Sequence, residues 1–136
     1  MPYSVLLFIS RKPGTTVEEF KERFENSHMP LLREAAGPHF PLSHTRRYIH
    51  RSEGQAEGTT RNAGTPARVL VGTQADFDYD VIAELTFADE AAFQTFFQTV
   101  HSPEKAAKII AAEETFLDRA QTRAVVLGDV AVTKKE

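Results

Sequence analysis

Residues 79–87 read YDVIAELTF, the stretch of the chain in which the side-chain pattern is clearest. Apolar and polar residues alternate along it with the period of two that predicts a β-strand with one buried face. We expect the buried face to carry Tyr79, Val81, Ala83, Leu85 and Phe87. Asp80 and Glu84 fall on the opposite face, so both carboxylates are expected to point away from the core, as candidate acid–base groups.

A helical region and a last strand are predicted after this strand. Residues 89–100 begin with two carboxylates and place apolar side chains along one side of a helix. Residues 102–104, Ser-Pro-Glu, favour a second helix start, because Ser is a common N-cap and Pro suits the first helical position. Residues 123–132 predict the last strand, with a bulge at Gly128.

The first half of the chain predicts the same order of elements. Residues 3–9, YSVLLFI, favour a short buried strand, and Thr16 and Glu19 have the spacing of a capping box that starts a helix. Pro30 is expected to break or restart this helix. The buried stripe of the helix is predicted to contain Val17, Phe20, Phe24, His28 and Leu31.

Residues 44–51, HTRRYIHR, predict a strand that is unusually polar for a core element. One of its faces would carry His44, Arg46, Tyr48 and His50. We expect one face of this strand to point away from the helices together with Asp80 and Glu84. The pairing register leaves open which face that is, because a slip of one residue exchanges the two faces.

Two β-α-β units joined by a long loop predict a ferredoxin-like α+β domain with the order βαββαβ, spanning residues 1–136. Its four-stranded antiparallel sheet would have helices on one face only. A second copy of the chain, packed sheet face to sheet face, would cover the other face and make a homodimer. Residues 52–76 form the long loop, a candidate lid. A pocket is expected between the sheet and the segments that flank it.

Composition and motifs exclude several classes of function. The chain has 136 residues, a net charge of −3 and no cysteine, which argues against nucleic-acid binding and excludes disulfide and thiolate chemistry. It lacks a bilayer-length apolar segment and a signal-peptide pattern, so we expect a cytoplasmic protein with no membrane partner. Metal-site spacings such as H-x-H are missing, and His44 and His50 lie too far apart on a strand to share an ion, so no metal is predicted.

Histidines and a phenol are the candidate catalytic groups. His28 either packs at the helix end or acts as a general acid or base, because an imidazole exchanges protons near neutral pH. His44 and Tyr48 either form an exposed polar strand face or polarise a substrate carbonyl. Asp80 is expected to orient an imidazole. The candidate substrate-binding residues are Phe24, Arg46, His50 and Glu84.

Three short motifs together resemble a known family. They are HMPLL at residues 28–32, HTRRY at residues 44–48 and FLD at residues 116–118. The combination resembles the EthD family, and more narrowly its fungal members described as dehydratases or decarboxylases of aromatic polyketide pathways. The resemblance covers nearly the whole chain. It implies a dimeric α+β barrel and small-molecule chemistry with neither a metal nor an organic cofactor.

Three functions remain open from the sequence. The first is a cofactor-independent lyase that removes water or carbon dioxide from an aromatic or pre-aromatic polyketide by histidine acid–base catalysis. The second is a cofactor-free monooxygenase that converts an anthrone-like phenol to a quinone. The third is a non-catalytic protein that binds a small molecule as a partner of another enzyme.

Overall fold

The computed structural model describes residues 2–53 and 62–136. It contains four strands: β1 (Tyr3–Ile9), β2 (Ser43–Tyr48), β3 (Val81–Phe87) and β4 (Arg123–Val126). They form one antiparallel sheet in the order β2-β3-β1-β4. The helical segments of both crossovers pack on one face of this sheet. The predicted ferredoxin-like α+β architecture is therefore confirmed.

The first crossover is one continuous helical stretch with a change of winding inside it. Helix α1 (Val17–Arg23) leads into a π-helical turn (Phe24–His28) and then into α2 (Met29–Ala36). The Thr16 hydroxyl caps α1 by accepting a hydrogen bond of 3.1 Å from the backbone N–H of Glu19. The predicted helix start is therefore confirmed.

The π-helical turn lies directly before Pro30. The backbone N–H of Met29 bonds to the carbonyl of Phe24, five residues back. Pro30 has no N–H to donate, and the wider turn lets the helix continue past it. The sequence pattern had also allowed a break of the helix at this residue. The extra residue in the turn moves the buried stripe on by one position, so Leu32 is buried and Leu31 is only half-buried.

The second crossover consists of α3 (Glu90–Val100) and α4 (Pro103–Glu113). The Asp89 carboxylate caps α3 by accepting from the N–H of Ala92 at 2.8 Å, and Ser102 is the N-cap residue of α4. Both predicted helix starts are confirmed. None of the helices in the described ranges combines the length and the apolar character needed to cross a membrane.

Three strands are shorter than the sequence pattern predicts. Strand β3 begins at Val81, so the alternation does not extend to Tyr79, whose ring packs against Phe8 at 4.9 Å. Strand β2 ends at Tyr48, which leaves His50 beyond it. Strand β4 ends at Val126, so the predicted bulge inside a long last strand is wrong.

The core lies between the sheet and the helices. Val81, Ala83, Leu85 and Phe87 on β3 are buried there, as predicted. They meet two clusters of helix residues, one around Leu32, Phe96 and Val100 and the other around Phe20, Phe24 and Phe116.

The other face of the sheet carries no helix of the described chain. Its apolar side chains include Leu6 and Phe8 on β1 and Ile82 on β3, and Val125 on β4 is 52% exposed. Glu84 lies on this face, as predicted, opposite Leu6 in the register.

Strand β2 presents its polar face to the helices. His44, Arg46 and Tyr48 pair in register with Leu85, Ala83 and Val81, whose side chains are in the core. These three residues therefore lie on the opposite side of the sheet from Glu84. The expected single sheet surface bearing carboxylates, imidazoles and a phenol is thus divided between two faces.

Asp80 does not share a face with Glu84, which corrects the prediction from alternation. It precedes the first paired residue of β3 and is 4% exposed. Its Oδ1 accepts from Nε of Arg11 at 3.1 Å and from Nε of Arg51 at 3.2 Å, and its Oδ2 accepts from the backbone N–H of Arg11 at 2.8 Å. The carboxylate is thus held by two arginines and not by an imidazole.

The long loop is tied to the domain at its base. Arg11 also donates to Asn62 and to Thr65, and the Gln74 side-chain amide bonds to both backbone groups of Ala67. Residues 54–61 of the predicted lid lie outside the described residues. The lid assignment therefore stays a prediction.

Removing the Asp80 carboxylate should destabilise the fold strongly. Asp80→Ala leaves two buried guanidinium groups without their shared counter-charge, and breaking such a pair costs about 3–5 kcal/mol. Urea unfolding at one fixed protein concentration measures this loss. Asp129→Ala deletes an exposed carboxylate and should change the free energy of unfolding by less than about 0.5 kcal/mol. Equal losses in both variants would show that the cluster is not stabilising.

Candidate active site

A cavity of about 210 Å³ lies between the helix face of the sheet and the helices. Its walls are mostly apolar and include Leu32, Leu85 and Phe96. Two imidazoles, those of His28 and His44, are part of the same wall. A larger hollow of about 530 Å³ beside Phe8 and Tyr79 has no imidazole in its lining. An apolar cavity with a few converging polar groups is the arrangement expected of a small-molecule site.

His28 is a buried imidazole with an unpaired nitrogen. It is the last residue of the π-helical turn, is 6% exposed and packs against the rings of Phe24 and Phe116 at 5.2 and 5.8 Å. Its Nδ1 is buried and has no hydrogen-bond partner in the described part of the chain. Burial, with a smaller effect of the Arg46 charge, lowers the pKa of His28 to about 4. The ring is therefore neutral near pH 7 and can accept a proton.

His44 is held in one tautomer by its neighbour on the strand. Nη1 of Arg46 lies 3.1 Å from Nδ1 of His44, and a guanidinium can only donate. The neutral ring must therefore accept at Nδ1 and carry its hydrogen on Nε2. Burial first, then the charge of Arg46, lowers the pKa of His44 to about 4. His44 is thus a neutral N–H donor near pH 7.

A carboxylate that the sequence analysis missed holds Arg46 in place. Glu25 accepts from Nε of Arg46 at 2.6 Å and from Nη2 at 2.9 Å, and it also accepts from the hydroxyl of Tyr48. The hydrogen bond from Arg46 lowers the pKa of Glu25, whereas burial, followed by the bond to Glu25, raises the pKa of Tyr48. Tyr48 therefore stays protonated and supports the Glu25–Arg46 pair. A half-buried arginine on β2 needs a counter-charge. Arg46 was therefore the feature of the sequence from which an acidic partner such as Glu25 could have been predicted.

The structure brings only part of the predicted site together. Phe24, His28 and His44 line the cavity. Arg46 is connected to it by its contact with His44, and Tyr48 is connected to Arg46 through Glu25. The remaining three candidates lie elsewhere: Asp80 with its two arginines, Glu84 on the other sheet face and His50, exposed, beyond the end of β2. Their strand positions, and not their side-chain chemistry, separate them from the cavity.

The groups in the cavity are suited to moving protons. Within residues 2–53 and 62–136, no three His, Cys, Asp or Glu side chains come together as a metal site. His28 can accept a proton, and His44 can donate a hydrogen bond at the same time. Such a pair can remove a proton beside a carbonyl while stabilising the charge that forms on the carbonyl oxygen.

These side chains lie in the part of the chain that matches a known family. The EthD domain model matches residues 12–120. The chain belongs to the EthD family. His28, His44 and Glu25 of this EthD protein all fall inside the matched range.

Solved structures share the EthD protein's fold at low sequence identity. An EthD family protein from Bacillus halodurans C-125 has a TM-score of 0.53 and 16% identity, over 94% of this chain and 99% of the other. SnoaB, a cofactor-independent oxygenase from Streptomyces nogalater, has a TM-score of 0.52 and 10% identity, over 98% of each chain. A dimeric ferredoxin-like protein of unknown function from Thermobifida fusca YX has a TM-score of 0.50 and 16% identity, over 93% of this chain and 90% of the other. No curated protein matches the sequence.

The buried imidazoles should make the EthD protein less stable in mild acid. His28 has a pKa of about 4 when folded, against an ordinary value of 6.5. Between those pH values the unfolded chain binds a proton that the folded chain does not, so this stability is complete above pH 6.5 and falls as the pH drops towards 4. For His28 alone the loss from pH 7 to pH 5 should be about 2 kcal/mol.

Urea unfolding at the two pH values measures this loss. His28→Gln should lose less free energy of unfolding between pH 7 and pH 5 than the wild type does, because the variant has no imidazole at position 28 to titrate. His39→Gln removes an exposed imidazole from the turn after α2 and is the matched control. A His28→Gln variant that loses as much stability as the wild type would contradict the assignment.

Proposed function

We propose that this EthD protein is a cofactor-independent lyase that removes water or carbon dioxide from an aromatic or pre-aromatic polyketide ketone. One observation carries the proposal: two neutral imidazoles with different hydrogen-bonding states share one apolar cavity. His28, as a neutral imidazole, has one ring nitrogen without a hydrogen and can accept a proton, and His44 offers an N–H. The pairing of a base with a hydrogen-bond donor is what enolisation of a ketone requires.

In the first step His28 takes a proton from the carbon next to the substrate carbonyl. Nε2–H of His44 donates a hydrogen bond to the carbonyl oxygen, on which the negative charge collects. Arg46, fixed by Glu25, keeps the hydrogen of His44 on Nε2 and adds positive charge nearby. The developing enolate and the new imidazolium form next to each other, so each charge has a partner in the apolar cavity.

In the second step the enolate expels the leaving group. The carbonyl re-forms, the bond to a hydroxyl at the next carbon breaks, and the imidazolium of His28 returns its proton to the departing oxygen to give water. An imidazole whose pKa is about 4 is a good proton donor once it is charged. Where the product becomes aromatic, that gain drives the reaction forward. For loss of carbon dioxide, His44 would stabilise the same enolate, and a proton would then be delivered to carbon.

A cofactor-free oxygenase is the second candidate. The same proton removal produces an electron-rich carbanion that molecular oxygen can attack, and the solved structure of SnoaB, of the same fold, is described as a cofactor-independent oxygenase. Both reactions therefore share His28 and His44 in their first step. They differ in whether oxygen is consumed.

The proposed active form is a homodimer packed through the open sheet face. Leu6, Phe8 and Ile82 would be covered there, and the Thermobifida fusca protein of this fold is described as dimeric. Light scattering should give twice the mass of one chain. Ile82→Lys should shift the protein towards monomer, because a charge in such an interface is costly, whereas Ala111→Lys on the outer side of α4 should not. A monomeric wild type would contradict the dimer.

Turnover without oxygen distinguishes the candidate reactions. The purified protein would be incubated, with no added cofactor and under anaerobic conditions, with hydroaromatic ketones and with hydroxylated anthrone and anthraquinone carboxylates. Mass spectrometry should show loss of one water or one carbon dioxide. His28→Gln should lower kcat by about 100-fold to 10,000-fold, and His39→Gln should leave it unchanged.

Each other outcome points to a different function. Product that gains oxygen, and forms only in air, would favour the oxygenase. Ligand binding without turnover in either atmosphere would favour the non-catalytic binding protein. Full activity of His28→Gln would remove His28 from the mechanism, whichever reaction is observed.

A further inference from the structure

A second polar group lines the same cavity and takes no part in the proposed proton transfer. Glu113 is the last residue of α4, and Arg119 begins the helical turn Arg119–Gln121 that comes after it. Both side chains belong to the cavity wall that also contains His28 and His44. Nε of Arg119 donates to Glu113, whereas Nη1 of Arg46 contacts His44. The cavity therefore has two separate charged regions.

The guanidinium of Arg119 has two nitrogens that are available as further hydrogen-bond donors. Its Nε donates to Oε1 of Glu113 at 3.2 Å, and its side chain is 47% exposed. Its two terminal nitrogens donate to none of the residues that the structure describes. Glu113 thus binds Nε of the guanidinium and leaves Nη1 and Nη2 available to a ligand. Two parallel N–H groups of that kind match the two oxygens of a carboxylate.

The carboxylate of Glu113 does not prevent an anion from binding beside it. The charge of Glu113 is offset by the hydrogen bond from Nε of Arg119, and burial raises the pKa of the Glu113 carboxyl. His101, also in the wall, bonds through Nδ1 to the carbonyl of Phe97 at 2.7 Å, so its Nδ1 carries the hydrogen. When this ring is neutral, its Nε2 can accept a hydrogen bond from a substrate hydroxyl.

The size of the cavity limits what can fit between the two regions. Its volume of about 210 Å³ is below the roughly 300–1,000 Å³ typical of sites for drug-sized ligands. The apolar wall between the polar regions suits a flat ring system. One or two fused rings fill such a space better than a large polycyclic scaffold.

We infer that the substrate is a compact hydroaromatic keto acid, whose carboxylate binds the terminal nitrogens of Arg119 while the ring carbon next to its ketone lies against His28 and His44. The inference rests on the proposed function only in taking this cavity as the substrate site. A carboxylate held by Arg119 is stabilised in the ground state, which disfavours its loss as carbon dioxide. The anchoring therefore selects loss of water over decarboxylation.

Binding of two matched probes tests the anchor without requiring turnover. The probes are 2-naphthoate and 2-naphthamide, which have the same ring system and differ in charge. Calorimetry on the intact protein should show tighter binding of the carboxylate by about tenfold or more. Arg119→Gln should abolish this preference, whereas Arg23→Gln, at an exposed arginine of α1 outside the cavity wall, should keep it.

Three results would overturn the inference. They are equal binding of the two probes to the wild type, a preference that survives Arg119→Gln, and failure of both probes to bind at millimolar concentration. Arg119 is half-exposed, so thermal unfolding of Arg119→Gln should match the wild type and exclude a folding defect. The proposed lyase reaction is judged separately, by turnover and by His28→Gln.

Discussion

Pro30 cannot donate a backbone hydrogen bond, and the helix before it adjusts by winding one π-helical turn at Phe24–His28. An added residue rotates the remainder of the helix by about 100° around its axis. With this turn, Glu25 contacts the polar face of β2 while His28 at the other end of the turn lies in the cavity wall. The hydrogen-bond network on β2 and the candidate base therefore both depend on one local change of helical winding.

Exclusion of water sets the charge state of the site. Burial is the largest cause that lowers the pKa of His28 and of His44, so both rings are neutral at rest. A lone arginine beside them would be costly, but Arg46 is matched by the carboxylate of Glu25. The site thus contains two neutral imidazoles next to one ion pair, in which the charges of Arg46 and Glu25 balance. A substrate that becomes negative in the cavity can stabilise the positive charge that His28 acquires.

The two faces of the sheet differ in the side chains that they carry in this EthD protein. The helix face contains the cavity and every side chain assigned a role in the proposed chemistry. The open face has an apolar surface with Glu84 in it and suits a second copy of the chain. Asp80, directly before β3, connects Arg11 and Arg51 and so ties the loop base to the sheet. Its isolation from the imidazoles makes it a structural residue in this arrangement.

The sequence by itself determined the parts of the molecule that depend on residues close together along the chain. Alternation along 79–87, the caps at Thr16 and Asp89 and the motif at 28–32 were enough for the α+β order, the EthD family and the placement of His28 on a buried stripe. Only the tertiary structure decided which face of β2 meets the helices, because register depends on pairing with β3 and a slip of one residue reverses every side chain. It also decided the partners of Arg46 and Asp80, since Glu25 and Arg11 lie far from them along the chain, where no local pattern extends.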